Sequence, residues 1–216
     1  MARKRAGTLL VLMERIEAFT LRRAWTQLGD DEFFWEPAAG AWGVRRREDC
    51  PTPTPFGDGD WVADYDIELA VASDSRGEIE PMTTIGWLLW HIGSMPGRLA
   101  QVDFLGGNRT IASGWTSPYL SHHPIFTTAS DATETLRSGW SELRAALHNA
   151  DDERMEQRTP HYTYAPESPR GGLAVLGPPG PEVPGYFCVA STLNEISHHG
   201  TQVCVLRDIY RWARSS

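Results

Sequence analysis

Lysine is nearly absent from this 216-residue chain: Lys4 stands alone against nineteen arginines. Basic charge as a whole is in deficit, with a formal net charge of −8. That balance excludes a dedicated duplex-binding surface, which normally shows as a basic stripe. The two basic runs, Arg3-Lys4-Arg5 and Arg45-Arg46-Arg47, are too short to change this, and no nucleic-acid partner is expected. Cysteine is scarce too. Cys50, Cys188 and Cys204 are irregularly spaced, and an odd count excludes complete intrachain pairing, so a reducing, cytoplasmic location is expected. No stretch reaches the 18 or so apolar residues of a membrane span, and no membrane partner is expected. The apolar run Thr8–Met13 is followed by Glu14, Arg15 and Glu17 without a small-residue cleavage site, so it reads as part of an amphipathic helix and not as a signal peptide. Glycine-rich phosphate loops, CxxC pairs and nucleophile elbows are missing as well.

What is present is a globular composition, 41% hydrophobic and 22% charged, with nine tryptophans as large packing anchors. The length favours one domain over residues 1–216. Four stretches carry apolar residues at three- and four-residue spacings. The first, about 7–28, holds Leu9, Leu12, Met13, Ile16, Phe19 and Trp25, with Gly29 as its expected stop. The second, about 82–105, starts at Thr83-Thr84, holds Ile85, Leu88, Leu89, Ile92, Met95 and Leu99, and is expected to kink at Pro96. The third, about 130–150, starts at Ser130 or Asp131, with Glu134 as a capping-box partner, and holds Leu136, Trp140, Leu143 and Leu147. The fourth, about 190–213, holds Leu193, Ile196, Val203, Leu206 and Ile209. The expected fold is all-α, an antiparallel four-helix bundle. Residues 36–81 are rich in proline and tryptophan and read as an ordered excursion with a short strand pair. Residues 156–186, with seven prolines, read as a loop crossing one end of the bundle.

The chemistry concentrates in LNEISHHGTQV, residues 193–203. Residues four apart share a helix face, which pairs Asn194 with His198 and Glu195 with His199. Continued through Gln202, Val203 and Leu206, the Glu195/His199 stripe turns apolar, so it is expected to face the interior. The Asn194/His198 stripe stays polar and is expected at the edge. A carboxylate and an imidazole on a buried stripe need a partner or a metal. In TTIGWLLWHIG, His91 flanks the apolar stripe of the second helix and could supply a third ligand. Three protein ligands with open positions would be the arrangement of a catalytic metal site. Taken singly, His91 also fits a hydrogen-bonded boundary residue, and the Glu195/His199 pair fits a helix-surface ion pair. His122-His123, ahead of a proline, reads as loop; His148 as exposed; His161 as solvated loop; and Cys204 as a small packed group.

The stretches TTIGWLLWHIG and LNEISHHGTQVCVLRDIYRW resemble the second and fourth helices of the DinB-like superfamily, and DDEFFWEPAAGAWGVR resembles an entry loop of its members. These are metal-binding four-helix bundles that include mycothiol-dependent maleylpyruvate isomerase and bacillithiol transferases. The resemblance places one ligand on His91 and two on Glu195 and His199, the latter fixed by Gln202-Val203. Many relatives have histidine where this chain has Glu195, and the glutamate is similar to the mycothiol-dependent branch. What the resemblance implies is a divalent metal (zinc or nickel first, manganese or iron after them), a low-molecular-weight thiol such as mycothiol, an electrophilic small molecule as second substrate, and a homodimer. The implied activity is thiol S-transfer or thiol-dependent isomerisation, with the Pro-rich loop and the Trp42/Trp61 segment walling the pocket. The alternative is a non-catalytic metal-binding bundle with a structural or stress-response role. The ligand set also matches iron oxygenases, but those sites normally sit in β-barrels.

Overall fold

The computed structural model describes residues 4–66, 69, 79–108, 123–160 and 182–215. In chain order the helices are α1 (Lys4–Ile16), continued by a π-helical turn (Glu17–Leu21) into α2 (Arg22–Trp25), then α3 (Asp30–Phe33), α4 (Ile85–Gly93), α5 (Met95–Ala100), α6 (Ala129–Asn149), α7 (Asp152–Met155) and α8 (Gly185–Ser215). Two short antiparallel pairs accompany them: β1 (Val44–Arg46) with β2 (Trp61–Ala63), and β3 (Arg158–Pro160) with β4 (Glu182–Pro184). The fold is all-α. α4 and α5 pack on α6, α6 on α1, α1 on α8, and α8 back on α4. This ring of contacts encloses a core that includes Leu88, Trp90, Phe104, Leu136, Trp140 and Ile196. Each such side chain contributes about 1.5–3 kcal/mol by leaving water.

The helix ends differ from the sequence expectation in instructive ways. The first helical stretch stops at Trp25, short of Gly29, and Gln27 takes the left-handed φ of 55°. The reason lies on α8. Arg207 donates to the backbone carbonyls of Arg23, Ala24, Thr26 and Gln27, which an ending helix leaves without partners. The second stretch is two helices, not one. Thr84 caps α4 by accepting from the Trp87 N–H at 3.1 Å, and the helix breaks at Ser94 because Pro96 has no N–H to donate backward. After α5 the chain tightens into a 3-10 turn (Asp103–Leu105) and leaves through Gly106 at φ 91°. The third stretch is capped by Thr128, which accepts from Asp131 N–H at 3.1 Å, so neither Ser130 nor Asp131 is the cap and Glu134 has no capping role.

The excursion after α3 is anchored directly ahead of α4. Trp42 N–H donates to Met82 O (2.7 Å) and Thr84 N–H donates to Trp42 O (2.8 Å). The expected strand pair is β1/β2, with Val44 opposite Ala63 and Arg46 opposite Trp61. Arg45 ties it down through ion pairs to the buried Asp64 (3.2 Å) and to Glu36 (3.1 Å). The second pair, β3/β4, brackets the Pro-rich segment, of which residues 161–181 lie outside the described residues.

One close approach shapes α8 beside the candidate site. A Cβ on Gly200 would lie 2.9 Å from Thr20 Cγ2, and Cys204 Sγ–H donates to Thr20 O at 3.4 Å. The π-helical turn containing Thr20 therefore sits where α8 comes nearest to it. Cys204 packs there as a small buried group, as expected.

Candidate metal centre

Two helices bring the three candidate ligands together. On α4, His91 lies two turns past the Thr84 cap, and its ring stacks on Trp87 with centroids 5.5 Å apart and planes at 12°. On α8, Glu195 and His199 are one turn apart. His91 Nε2 and His199 Nε2 each lie 3.1 Å from the same oxygen, Glu195 Oε1. The three donor atoms all fall within 4.8 Å of one another. Around one ion with bonds of about 2.0–2.1 Å, adjacent ligand atoms sit about 2.8–3.4 Å apart across octahedral and tetrahedral geometries. The two 3.1 Å separations fit that spacing. Two imidazoles and a carboxylate are a donor set for zinc, nickel, manganese or iron(II).

The electrostatics agree with that use. Hydrogen bonds from His199 and then His91 hold the Glu195 carboxyl well below the usual carboxylate range, although partial burial opposes them. Burial pushes the His91 imidazole below its ordinary value, against the pull of Glu195. An ionised carboxylate beside a neutral imidazole is the state in which both can ligate a cation. Beyond the cluster the two rings differ. His199 Nδ1 lies 2.7 Å from Gln202 Oε1, whereas His91 Nδ1 is buried and makes no hydrogen bond among the described residues.

The cluster opens on a cleft of about 870 Å³. From the excursion and α4 the cleft receives Trp42, Tyr65, Met82 and Trp87; from α8 it receives Val205, Leu206 and Ile209. Met82, Val205 and Ile209 are exposed apolar side chains, and the cleft accounts for their position. Trp42 is held against Trp87 and Tyr65, with centroids 6.0 and 4.9 Å away.

His91, Glu195 and His199 thus lie together as the helical spacing requires, but their setting differs from the expectation. Glu195 and His199 do not face the interior. They are half-buried at the cleft, and the core face of α8 is carried by Leu193, Ile196, Gly200 and Val203. His198 is exposed and stacks on His199 at 4.6 Å. Trp42 lines the cleft, whereas Trp61 packs on Phe34 and under the Arg46 guanidinium instead. His148 is exposed as expected; His122 and His161 lie outside the described residues.

His123 is loop, as expected, but its burial beside the cluster was not foreseen. It is 4% exposed, its Nδ1 lies 3.0 Å from Trp90 O, and its ring stacks 6.2 Å from His91. Burial pushes it down to about 3, so it is neutral. The available signal was its neighbour sequence: His-Pro leads into Ile125-Phe126, and Phe126 is in the core.

No helix among the described residues is long and apolar enough to cross a membrane. No curated protein and no solved structure gives a significant match to the chain. A sequence model of the DinB superfamily, however, matches residues 19–203, a span that runs from the π-helical turn through both ligand-bearing helices. With that match covering most of its length, the chain belongs to the DinB superfamily.

Proposed function

We propose that the chain is a single-domain, antiparallel four-helix bundle acting as a metal-dependent enzyme on a low-molecular-weight thiol, with His91, Glu195 and His199 holding a divalent cation. The observation that supports this most is the convergence of two imidazole Nε2 atoms on one carboxylate oxygen beside an open cleft. Three protein ligands leave coordination positions for a small molecule. A cation bound there supplies Lewis acidity that lowers the pKa of a thiol and makes it a nucleophilic thiolate at neutral pH. The protein's own contribution is placement. Trp87 stacking fixes the His91 ring, and Glu195 stays ionised between the two imidazoles. Trp42, Tyr65 and Met82, together with Val205 and Ile209, offer apolar surface to the body of an electrophile and keep water from it.

Metal analysis of protein purified without a histidine tag tests the reading. One zinc or nickel per chain is expected, lost in both Glu195→Ala and His199→Ala. Thiol-dependent consumption of an electrophile such as 1-chloro-2,4-dinitrobenzene should stop with chelator and return with metal. Chelator-insensitive turnover would sink the proposal. A second reading has its own support: the donors come from α4 and α8, so a cation would tie two helices together without any catalysis. Metal that raises the melting temperature with no thiol-dependent turnover would favour that reading.

A further inference from the structure

The histidine doublet has a second use that the ligand set leaves unexplained. Gln202 lies one turn beyond it on α8 and touches both rings. Its carbonyl Oε1 is 2.7 Å from His199 Nδ1, and its amide nitrogen is 3.4 Å from His198 Nε2. A neutral imidazole carries one N–H, and a carbonyl oxygen only accepts. In this orientation of the amide, the contact with Gln202 Oε1 favours the His199 tautomer with the proton on Nδ1 and the lone pair on Nε2, opposite to the one that donates to Glu195. Glu195 Oε1, at 3.1 Å from Nε2, competes for the same proton. A cation among His91, Glu195 and His199 takes the Nε2 lone pair and ends that competition in favour of Gln202. Cation binding and the Gln202 hydrogen bond thus select the same tautomer. His198 contributes at the far end of the amide. With its own proton on Nδ1, its Nε2 accepts from the Gln202 –NH2; turning the amide over would set the –NH2 against His199 Nδ1 and favour the opposite tautomer, with Nε2–H donating to Glu195.

We propose that Gln202 is a positioning residue that fixes His199 in the tautomer with Nε2 free to ligate a cation, and that His198 holds the Gln202 amide in the orientation this requires. The proposal rests on the metal reading above. It assigns the doublet as one ligand and one outer support. The mechanism is an outer-shell bond to the second nitrogen of a ligating imidazole, a contact that typically changes metal affinity by about 10–100-fold.

The test compares zinc affinity, by competition with a chromophoric chelator, in the wild type and in Gln202→Leu, Gln202→Glu and His198→Ala. Gln202 is exposed, so the variants should keep the fold, checked by unchanged melting of the metal-free protein. Gln202→Leu should weaken zinc roughly 10–100-fold. Gln202→Glu keeps an acceptor at the same place and should restore wild-type affinity or better. His198→Ala should cost roughly two- to fivefold, the value of a neutral hydrogen bond. In the zinc-loaded protein the His199 Nδ1–H should give a protected proton signal in 1H–15N spectra. The signal should persist in Gln202→Glu and disappear by solvent exchange in Gln202→Leu. Zinc affinity within twofold of wild type in Gln202→Leu, or an Nδ1–H signal indifferent to the substitution, overturns the proposal and leaves the metal reading standing. A wild type that takes up no zinc, nickel, manganese or iron overturns the metal reading itself, and this proposal with it.

Discussion

Helix α8 holds two carboxylates through basic side chains, and it holds them in opposite ways. At one level Arg207 is 1% exposed and meets the 6%-exposed Glu32 with two bonds, Nε–Oε1 at 2.8 Å and Nη2–Oε2 at 3.1 Å. Its remaining reach goes to the four carbonyls that end α2. Three turns earlier, the Glu195 side chain is 40% exposed, with one oxygen shared between two imidazoles at 3.1 Å. The first arrangement carries its own permanent cation and is closed by packing. The second leaves its nitrogen and oxygen atoms at an open cleft, where the proposed cation would reach them. A buried charge pair is therefore not by itself a sign of function. What separates the two is whether the basic partner's polar atoms are already used up by the protein.

The largest expected effect breaks the closed arrangement. Arg207→Leu strands the Glu32 carboxylate in the core and uncaps α2, and should cost about 3–5 kcal/mol, read from chemical denaturation. Adding Glu32→Leu should recover part of that loss, since two matched apolar side chains replace a buried pair with little penalty. Glu195→Ala removes a half-exposed group and should cost the metal-free protein clearly less than Arg207→Leu. Equal destabilisation by Arg207→Leu and Glu195→Ala would erase the distinction drawn between the two sites.

Gly200, which lies between Glu195 and Arg207 in sequence, sharpens the comparison next. Its absent side chain lets α8 approach the π-helical turn, and a Cβ there would lie 2.9 Å from Thr20 Cγ2 and 3.2 Å from Leu21 Cδ2. Gly200→Val should cost about 1–3 kcal/mol by overpacking. Because His199 is the next residue, the same shift should weaken zinc binding. Gly139→Ala, where a Cβ would press on the Gly97 backbone at 2.6 Å on the far helices, should destabilise comparably and leave zinc affinity unchanged. Parallel behaviour of both variants in zinc titration would show that the cluster responds to global stability, not to the local placement of α8.

Part of the candidate site was legible: helical spacing pairs Glu195 with His199, and the resemblance to the DinB-like superfamily added His91. That Glu195 and His199, four apart, share a helix face follows from the sequence, although not that the face lies at a cleft. Pro96 marked where the second stretch is interrupted, although as a break between two helices and not as the expected kink. What the sequence hid depends on contacts between distant segments. Arg207 ends α2 from 180 residues away, overriding the glycine stop expected at Gly29. Whether the Glu195 stripe lies in the core or at a cleft depends on Trp42, which the excursion delivers to the head of α4 through backbone bonds to Met82 and Thr84. His123 is the clearest case. The lead into Phe126 is its only local mark, because its burial is made by Trp90 and His91 on α4.

The smallest expected effect concerns that histidine, and it is one of pH. Burial lowers His123 from an ordinary value of 6.5 to about 3, and lowers His91 in the same direction. A base whose folded value is depressed stays neutral in the fold while the unfolded chain takes up a proton. Its stability contribution is therefore whole above pH 6.5 and drains away as pH falls below it, down to about 3 for His123. The slope approaches about 1.4 kcal/mol per pH unit for each group once the unfolded chain is fully protonated. Glu195, also depressed, adds a loss in the same direction only below its ordinary 4.5, so measurements between pH 7.5 and 5 isolate the histidines. In metal-free protein, His123→Phe should be less stable than wild type at pH 7.5, by about 1 kcal/mol for the lost bond to Trp90 O. Its denaturation midpoint should fall less steeply with acid, so that the two proteins become equal near about pH 6 and the variant is the more stable at pH 5. Parallel slopes would mean that His123 is protonated in the fold, and that the wall behind His91 is wetter than its packing against Trp90 implies.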